Sequence, residues 1–519
     1  AGLCAALTTA QGGLDTIVLE KGDRLGGTSS ISGAGTWVPA NHHAKAAGIN
    51  DSPEDALTYI TSVAPPGWRE KEEKRWRRFA SEAPRMLEFV ERYTPLEFSL
   101  TNQGDPMAES PGAKSHGRML SPKPLSLRLL GPYRRLLHPS ELPLIFSYQE
   151  VLRHDPYHHP IQATARLLPR LLWRWLTVTR GMGAALIAGL LKGCLDHGCR
   201  IETQARAISL IRTPDGHIGG ARIEHQGREK RFYARIGVVI ASGGFEWDAE
   251  RVRQHFPGPT DFIASPRTNE GDGHRMAEAV GAELAHMDQA NLSPGVPSRR
   301  SPYPRGLSIY FHRLPNAIIV DRTGRRFLNE YAFNLGEKID QRDKATGAPL
   351  HLPAWFITDV RFLERSPIVR FFGRKQPRWM VRAPSLSELA RRIGVPPETL
   401  LTTVDRYHSF CANGADLDFK RHKTPPYENL EPITRAPFIA IPFNRTFVST
   451  KGGPKTDANG QVVGVDGRRI PGLYCAGVAM DNPFGTWAVG AGTTIGPNMT
   501  WGYICGKSLL EAAQTVKGR

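Results

Sequence analysis

No apolar run in these 519 residues approaches the ~20 that a helix needs to cross a bilayer, so an integral membrane protein is not expected. The six cysteines (Cys4, Cys194, Cys199, Cys411, Cys475 and Cys505) show no CxxC spacing. They exclude a disulfide framework and read as thiols of a reducing compartment, so the expected localisation is cytoplasmic. Repeats and low-complexity segments are missing. The formal net charge of +17 comes with no aromatic-interleaved basic module, so nucleic acid is not expected as a partner. An initiator methionine is missing too. The chain opens on AGLCAALTTA, already inside a helix, which leaves an upstream leader open.

What is present is ordinary for a soluble globular protein: 40% hydrophobic and 23% charged residues. The length exceeds one compact core and points to two domains, or to one large α/β domain with an insertion. Residues 4–10 read as a helix and 16–20 as a strand. Glu70 to Tyr93 and Gly183 to Asp196 read as helices. ARAISLIRT, GGARIEH and EKRFYARI read as an antiparallel meander, and GVVIAS as a buried parallel strand. Ser385 and Glu388 predict a capping box, and Pro397 opens a helix that stops at Gly414. A last helix is expected from about Thr494 to Ala513. RLLPRLLWRWLTVTR fits a cap helix with snorkelling arginines. A peripheral membrane contact through the same run stays open.

The first helix and strand carry half of a dinucleotide fingerprint. Gly2 fits the third glycine of GxGxxG, and Glu20 fits the acid that closes the second strand on the ribose hydroxyls. KGDRLGGTSSISGAG follows at once. Its glycines and hydroxyls suit backbone N–H groups approaching phosphate.

On these residues the chain resembles the FAD-dependent 3-ketosteroid dehydrogenase family, within the fumarate reductase/succinate dehydrogenase flavoprotein superfamily. The likeness runs almost end to end. It continues through RGMGAALIAGLL, VVIASGGFEW, TNEGDGHRMAEAVGAEL, NAIIVDRTGRRFLNE, STKGGPKTDANGQV and GLYCAGVAM…GAGTTIGPNMTWGYICG. The family pattern places a strand and two further glycines, roughly a dozen residues, before this A-G-L. The chain as written is therefore expected to bind FAD poorly.

The resemblance implies FAD lined by Gly2, Glu20, Lys21, Gly26, Gly27, Thr28, Ser29, Ser32 and Gly33, with Ala207 at the adenine. Ala241, Ser242 and Gly243 would close over the cofactor. Asp272 reads either as a helix cap or as a residue near the flavin. Gly477 would face the ribityl chain. The N–H groups of Thr493, Thr494 and Ile495 would face the flavin pyrimidine, where negative charge collects.

The implied reaction removes two hydrogens from adjacent carbons of a cyclic ketone, a hydride to flavin N5 and a proton to a base. Gly492 matches the family's backbone donor to the ketone. The family's tyrosines are missing: Ala488, beside Trp487, stands for one, Asn334 for another, and Pro106 and Met107 occupy the loop that carries others. Tyr331 is expected as the base, with Tyr310 and His312 as neighbours and Asn334 as a hydrogen-bond donor. HDPYHHP and the pair His42–His43 read as polar loops, since adjacent histidines usually diverge; no metal is expected.

The expected fold is α/β: a Rossmann-like FAD-binding domain (1–285 and 446–519) with an inserted α+β substrate-capping domain (286–445). The expected partners are a hydrophobic ketone and an external electron acceptor. Two other functions stay open: fumarate-reductase-like reduction of an activated alkene, and a non-catalytic flavoprotein relic.

Overall fold

The computed structural model describes residues 1–374 and 376–517. Helix α1 (Gly2–Gln11) turns through Gly12 and Gly13 into strand β1 (Ile17–Leu19). The long helix α2 (Trp68–Tyr93) buries Trp76, Phe79 and Met86 on one face. Helix α3 (Pro160–Leu176) leads into α4 (Met182–Asp196), almost wholly buried, and then into β2 (Arg200–Glu202). β2 pairs in parallel with β1.

Next come β3 (Ala205–Arg212), β4 (Ile218–His225) and β5 (Arg228–Tyr233), the expected antiparallel meander. β6 (Val238–Ile240) is the expected parallel strand, followed by α5 (Asp272–Ala279).

A four-stranded sheet starts with β7 (Ala317–Val320), β8 (Trp355–Asp359) and β9 (Val381–Ala383). Helices α6 (Leu386–Ile393) and α7 (Pro397–Asn413) follow, then β10 (Phe438–Pro442). Its order is β7-β8-β10-β9, all antiparallel. Side chains alternate between its faces, as the strand period requires. Ile318 and Val320 pack with Leu389, Leu400 and Val404 of α6 and α7. Ile319 joins Phe311, Phe356 and Phe443 on the other face. Ser385 caps α6 by accepting from Glu388 N at 3.2 Å, but the reciprocal half of the expected box is not formed: the Glu388 carboxylate pairs with Arg392 one turn on. α7 ends, as read, at Gly414 with φ 66°.

The chain returns to the first region with β11 (Gln461–Val463), β12 (Arg469–Cys475) and helix α8 (Ile495–Lys517). β6 pairs in parallel with β12. α8 lies directly on α1 because glycines remove the side chains between them. A Cβ on Gly502 would stand 2.3 Å from the Ala1 carbonyl oxygen. The free edges of β1 and β6 are not paired with each other and both border the same cavity. Among the described residues no helix is long and apolar enough to cross a membrane.

Candidate active site

A cavity of about 940 Å³ is lined by β1 and β6 and, from the middle of the chain, by residues between Asn291 and Ile339. At one end lies Glu20. One carboxylate oxygen accepts from Gly22 N at 2.8 Å, and burial raises its pKa despite that bond. Lys21 pairs with Glu270 and, at 2.8 Å, with Asp272. Asp272 does not cap α5. The cap position is Gly271, without a side-chain bond, and Asp272 instead meets Arg206, Lys21 and Arg275. Burial works to raise Asp272, yet these three cations hold it at about 2. Gly2, Ala207, Ala241, Ser242 and Gly243 line the same end.

Gly26 and Gly27 line the middle of the cavity at φ 99° and 52°, and open a single helical turn. Thr28, Ser29, Ser32 and Gly33 line the wall beyond them, and Thr28 Oγ1 accepts from Asn269 at 3.4 Å. Gly477 and the segment from Gly492 to Ile495 line the cavity too. Gly492 has φ 76°, and a Cβ there would lie 2.6 Å from Gly35 O, so the turn admits no side chain. Thr493 Oγ1 donates to Gly490 O at 2.6 Å. The N–H groups of Gly492, Thr494 and Ile495 meet no acceptor among the described residues, at the positive end of the 23-residue helix α8. Ser449 Oγ and Asn498 Oδ1 also line the cavity as buried polar atoms without a partner.

The other end is built by Gln103, Tyr148, Tyr310, Arg313, Phe333, Asn334 and Leu335. Tyr148 donates to Gln103 Oε1 at 2.9 Å. Tyr310 is 54% exposed, into the cavity. Enclosure pushes its hydroxyl upward, while Arg313 beside it pulls the other way. Lys451 is buried in the cavity wall, its Nζ donating to Gly485 O at 2.6 Å, and burial brings it down to about 7. Gln103, Tyr148, Arg313 and Lys451 were not singled out from the sequence. Lys451 sits inside the quoted STKGGP run; the other three carry no local pattern.

One expectation needs correction. Tyr331 does not line the cavity. It is 1% exposed, its ring lies under the Arg421 guanidinium at 4.0 Å, and its hydroxyl reaches Glu428 at 3.4 Å. It is a packed aromatic and not a base facing substrate. Asn334 does line the cavity; one Nδ2–H donates to Thr486 O and Oδ1 accepts from Gly336 N at 3.1 Å, which leaves the second Nδ2–H as a donor. It positions the Thr486 turn. Trp487 packs edge-on against Trp68 and Trp76. His312 is buried outside the cavity lining.

The two adjacent histidines do not diverge as expected. The rings of His42 and His43 lie 4.1 Å apart, tilted by 37°, and both turn Nε2 onto Glu91, at 2.7 and 2.9 Å. In the other histidine cluster His158 bonds Asp155 at 2.8 Å.

The family model for the FAD binding domain matches residues 1–495. The chain belongs to this FAD-binding family. Two relatives place it among the family's dehydrogenases. It is 33% identical to the 4-oxocyclohexanecarboxylate 2-dehydrogenase of Sinomonas cyclohexanicum, over 98% of this chain and 91% of that one. It is 32% identical to the 3-oxosteroid 1-dehydrogenase of Mycobacterium tuberculosis, over 99% and 97%. The crystal structure of 3-ketosteroid delta1-dehydrogenase from Sterolibacterium denitrificans, in complex with 1,4-androstadiene-3,17-dione, superposes with a TM-score of 0.87 at 28% identity. The match covers 98% of this chain and 97% of that one. This member of the family is an FAD-dependent dehydrogenase. Its cavity fits FAD: an acid at the strand end, glycine-lined walls, and unpaired N–H groups at the start of a long helix.

Proposed function

We propose that the protein dehydrogenates a cyclic ketone, forming a carbon–carbon double bond next to the carbonyl. FAD, when bound, accepts the hydride at its N5. The two electrons then pass to an external acceptor. In this reading residues 1–285 and 446–519 hold the cofactor and 286–445 cover the substrate. The carrying observation is the cavity end beyond Gly492, where apolar Phe333 and Leu335 stand beside a few polar groups. Gly492 N–H is the donor to the ketone oxygen, stabilising the negative charge that develops as the neighbouring proton leaves. Tyr310 replaces Tyr331 in the role: its own hydroxyl proton first passes to solvent, and the minor phenolate form then takes the proton from the substrate carbon. The N–H groups of Thr494 and Ile495 would help hold the cofactor and would favour negative charge on it.

Anaerobic mixing of the FAD-loaded protein with 4-androstene-3,17-dione or with 4-oxocyclohexanecarboxylate tests the reaction. Bleaching of the flavin spectrum, with turnover on an artificial acceptor, is expected. Turnover of fumarate with reduced viologen but no bleaching by any cyclic ketone would reverse the assignment. Bleaching by dithionite alone would favour the relic. Tyr310→Phe is expected to lose at least about 100-fold in kcat while still binding ketone. A Tyr310→Phe enzyme with unchanged kcat would remove Tyr310 from the mechanism.

The reading includes a peripheral membrane contact on α3. Ala163, Leu167 and Leu171 of α3 face inward, whereas Ile161, Trp173, Trp175 and Leu176 are between 59% and 83% exposed. No acidic residue occurs between Asp155 and Asp196, while Arg166 and Arg170 are exposed, so the matching surface is an anionic bilayer.

A further inference from the structure

Buried arginines in this protein meet carboxylates. Arg75 pairs with Asp481 and Glu72, Arg118 with Asp51 and Asp105, Arg326 with Glu330 and Asp416, and Arg445 with Asp340. The half-buried Arg313 and Arg305 depart from that pattern, and of the two only Arg313 lines the cavity. It lines the substrate end of the cavity, its one hydrogen bond runs from Nη2 to Ala332 O at 3.3 Å, and its Nε is buried with no partner. The groups that could oppose its charge are the hydroxyls of Tyr310, Tyr148 and Tyr331. Burial pushes all three upward, so at neutral pH they are uncharged. The cavity's own acids, Asp15, Glu20 and Asp272, lie on or beside the elements of the nucleotide end. An enclosed guanidinium without a counter-charge is costly, and a planar fork of N–H donors matches a carboxylate.

We propose that Arg313 receives a carboxylate of the substrate, which makes the substrate a small cyclic oxo acid. A neutral polycyclic ketone would leave Arg313 uncompensated. The assignment deepens the dehydrogenase reading and rests on it for the ketone, but the carboxylate site stands on Arg313 itself.

Two measurements with the FAD-loaded protein separate the claims. The first uses cyclohexanecarboxylate, which has no ketone, and calorimetric titration. Binding to wild type is expected, with affinity reduced about 100-fold in Arg313→Met and partly restored in Arg313→Lys. Equal binding by wild type and Arg313→Met, or no binding by wild type, would overturn the proposal whatever the reaction turns out to be. The second compares 4-oxocyclohexanecarboxylate with its methyl ester. Wild type is expected to prefer the acid about 100-fold in kcat/KM, and Arg313→Met to lose that preference through KM. Turnover of both with no preference for the acid sinks the Arg313 assignment and leaves the dehydrogenase reading intact. Acid binding without turnover of any ketone does the reverse. The wild-type preference needs no variant, so it decides the matter even if Arg313→Met fails to fold.

Discussion

At the residue scale, Lys451 is an amine inside the cavity wall with the Gly485 carbonyl as its hydrogen-bond partner. Its pKa falls from about 10.4 in an unfolded chain to about 7 through burial. Between those values the unfolded chain holds a proton that the folded chain has lost. Stability therefore rises with pH across that window, and the full burden of the buried charge falls below the lower value. Lys451→Met is expected to be more stable than wild type near neutrality and to lack the alkaline rise. Urea unfolding at neutral pH and about two units higher reads the difference. Parallel profiles for the two proteins would show that Lys451 keeps an ordinary pKa. Asp272 works in the opposite direction. Held at about 2 by Arg206, Lys21 and Arg275, it contributes stability that is present above the usual carboxylate value and disappears as pH falls through its folded value.

At the element scale, α1 and α8 form the floor on which the cofactor's phosphate and pyrimidine ends would rest. Gly502 sets their separation, and its missing side chain brings α8 against the Ala1 carbonyl. Gly502→Ala is expected to cost about 1–3 kcal/mol by overpacking. It should also weaken FAD binding, because the first turn of the same helix carries the open N–H groups. A variant with unchanged urea midpoint and FAD affinity would mean that the helices part without effect. α2 is tied to the loop before Gly492 by Arg75, which meets Asp481 at 2.7 Å, and by Trp76, whose Nε1 donates to Pro483 O at 2.9 Å. Arg75→Met strands two buried carboxylates, Asp481 and Glu72, and is expected to cost about 3–5 kcal/mol, readable in the same unfolding experiment.

At the scale of the whole molecule, one cavity draws most of its walls from four segments, Ala1 to Gly35, Ala205 to Asp272, Asn291 to Ile339 and Val448 to Asn498. A ligand that touches all four stabilises the folded chain by mass action, by about 4 kcal/mol at a thousand times its Kd. FAD is therefore expected to raise the melting temperature well beyond riboflavin at equal concentration, since riboflavin cannot reach Glu20 and Ala207. Equal shifts for both would mean that the nucleotide end contributes nothing. The exposed face of α3 belongs to this scale as well. Sedimentation with phosphatidylglycerol vesicles is expected, and is expected to fall with added salt and in Trp173→Ala/Trp175→Ala. Binding to neutral phosphatidylcholine to the same extent would remove the arginines from the account.

Local patterns in the sequence determined a great deal: the helix–strand start with Glu20, the meander, the parallel strand at 238–240, the glycine-rich turn before α8, and through them the FAD family. Those features are short-range, because caps, turns and strand periods depend on neighbours along the chain. The substrate end was not legible in that way. Tyr331 and Tyr310 are close in sequence to the family's motif and to each other, yet one packs under Arg421 and the other opens into the cavity. Spacing along an irregular loop carries no period from which a direction could be read. Lys451 and Arg313 look like any other basic residues in a chain of +17. Only tertiary packing decided that Asp272 pairs instead of capping, and that the cations beside the cavity's reactive end are left without acids. Burial and counter-charge arise from segments hundreds of residues apart, so they exist only once the chain has folded.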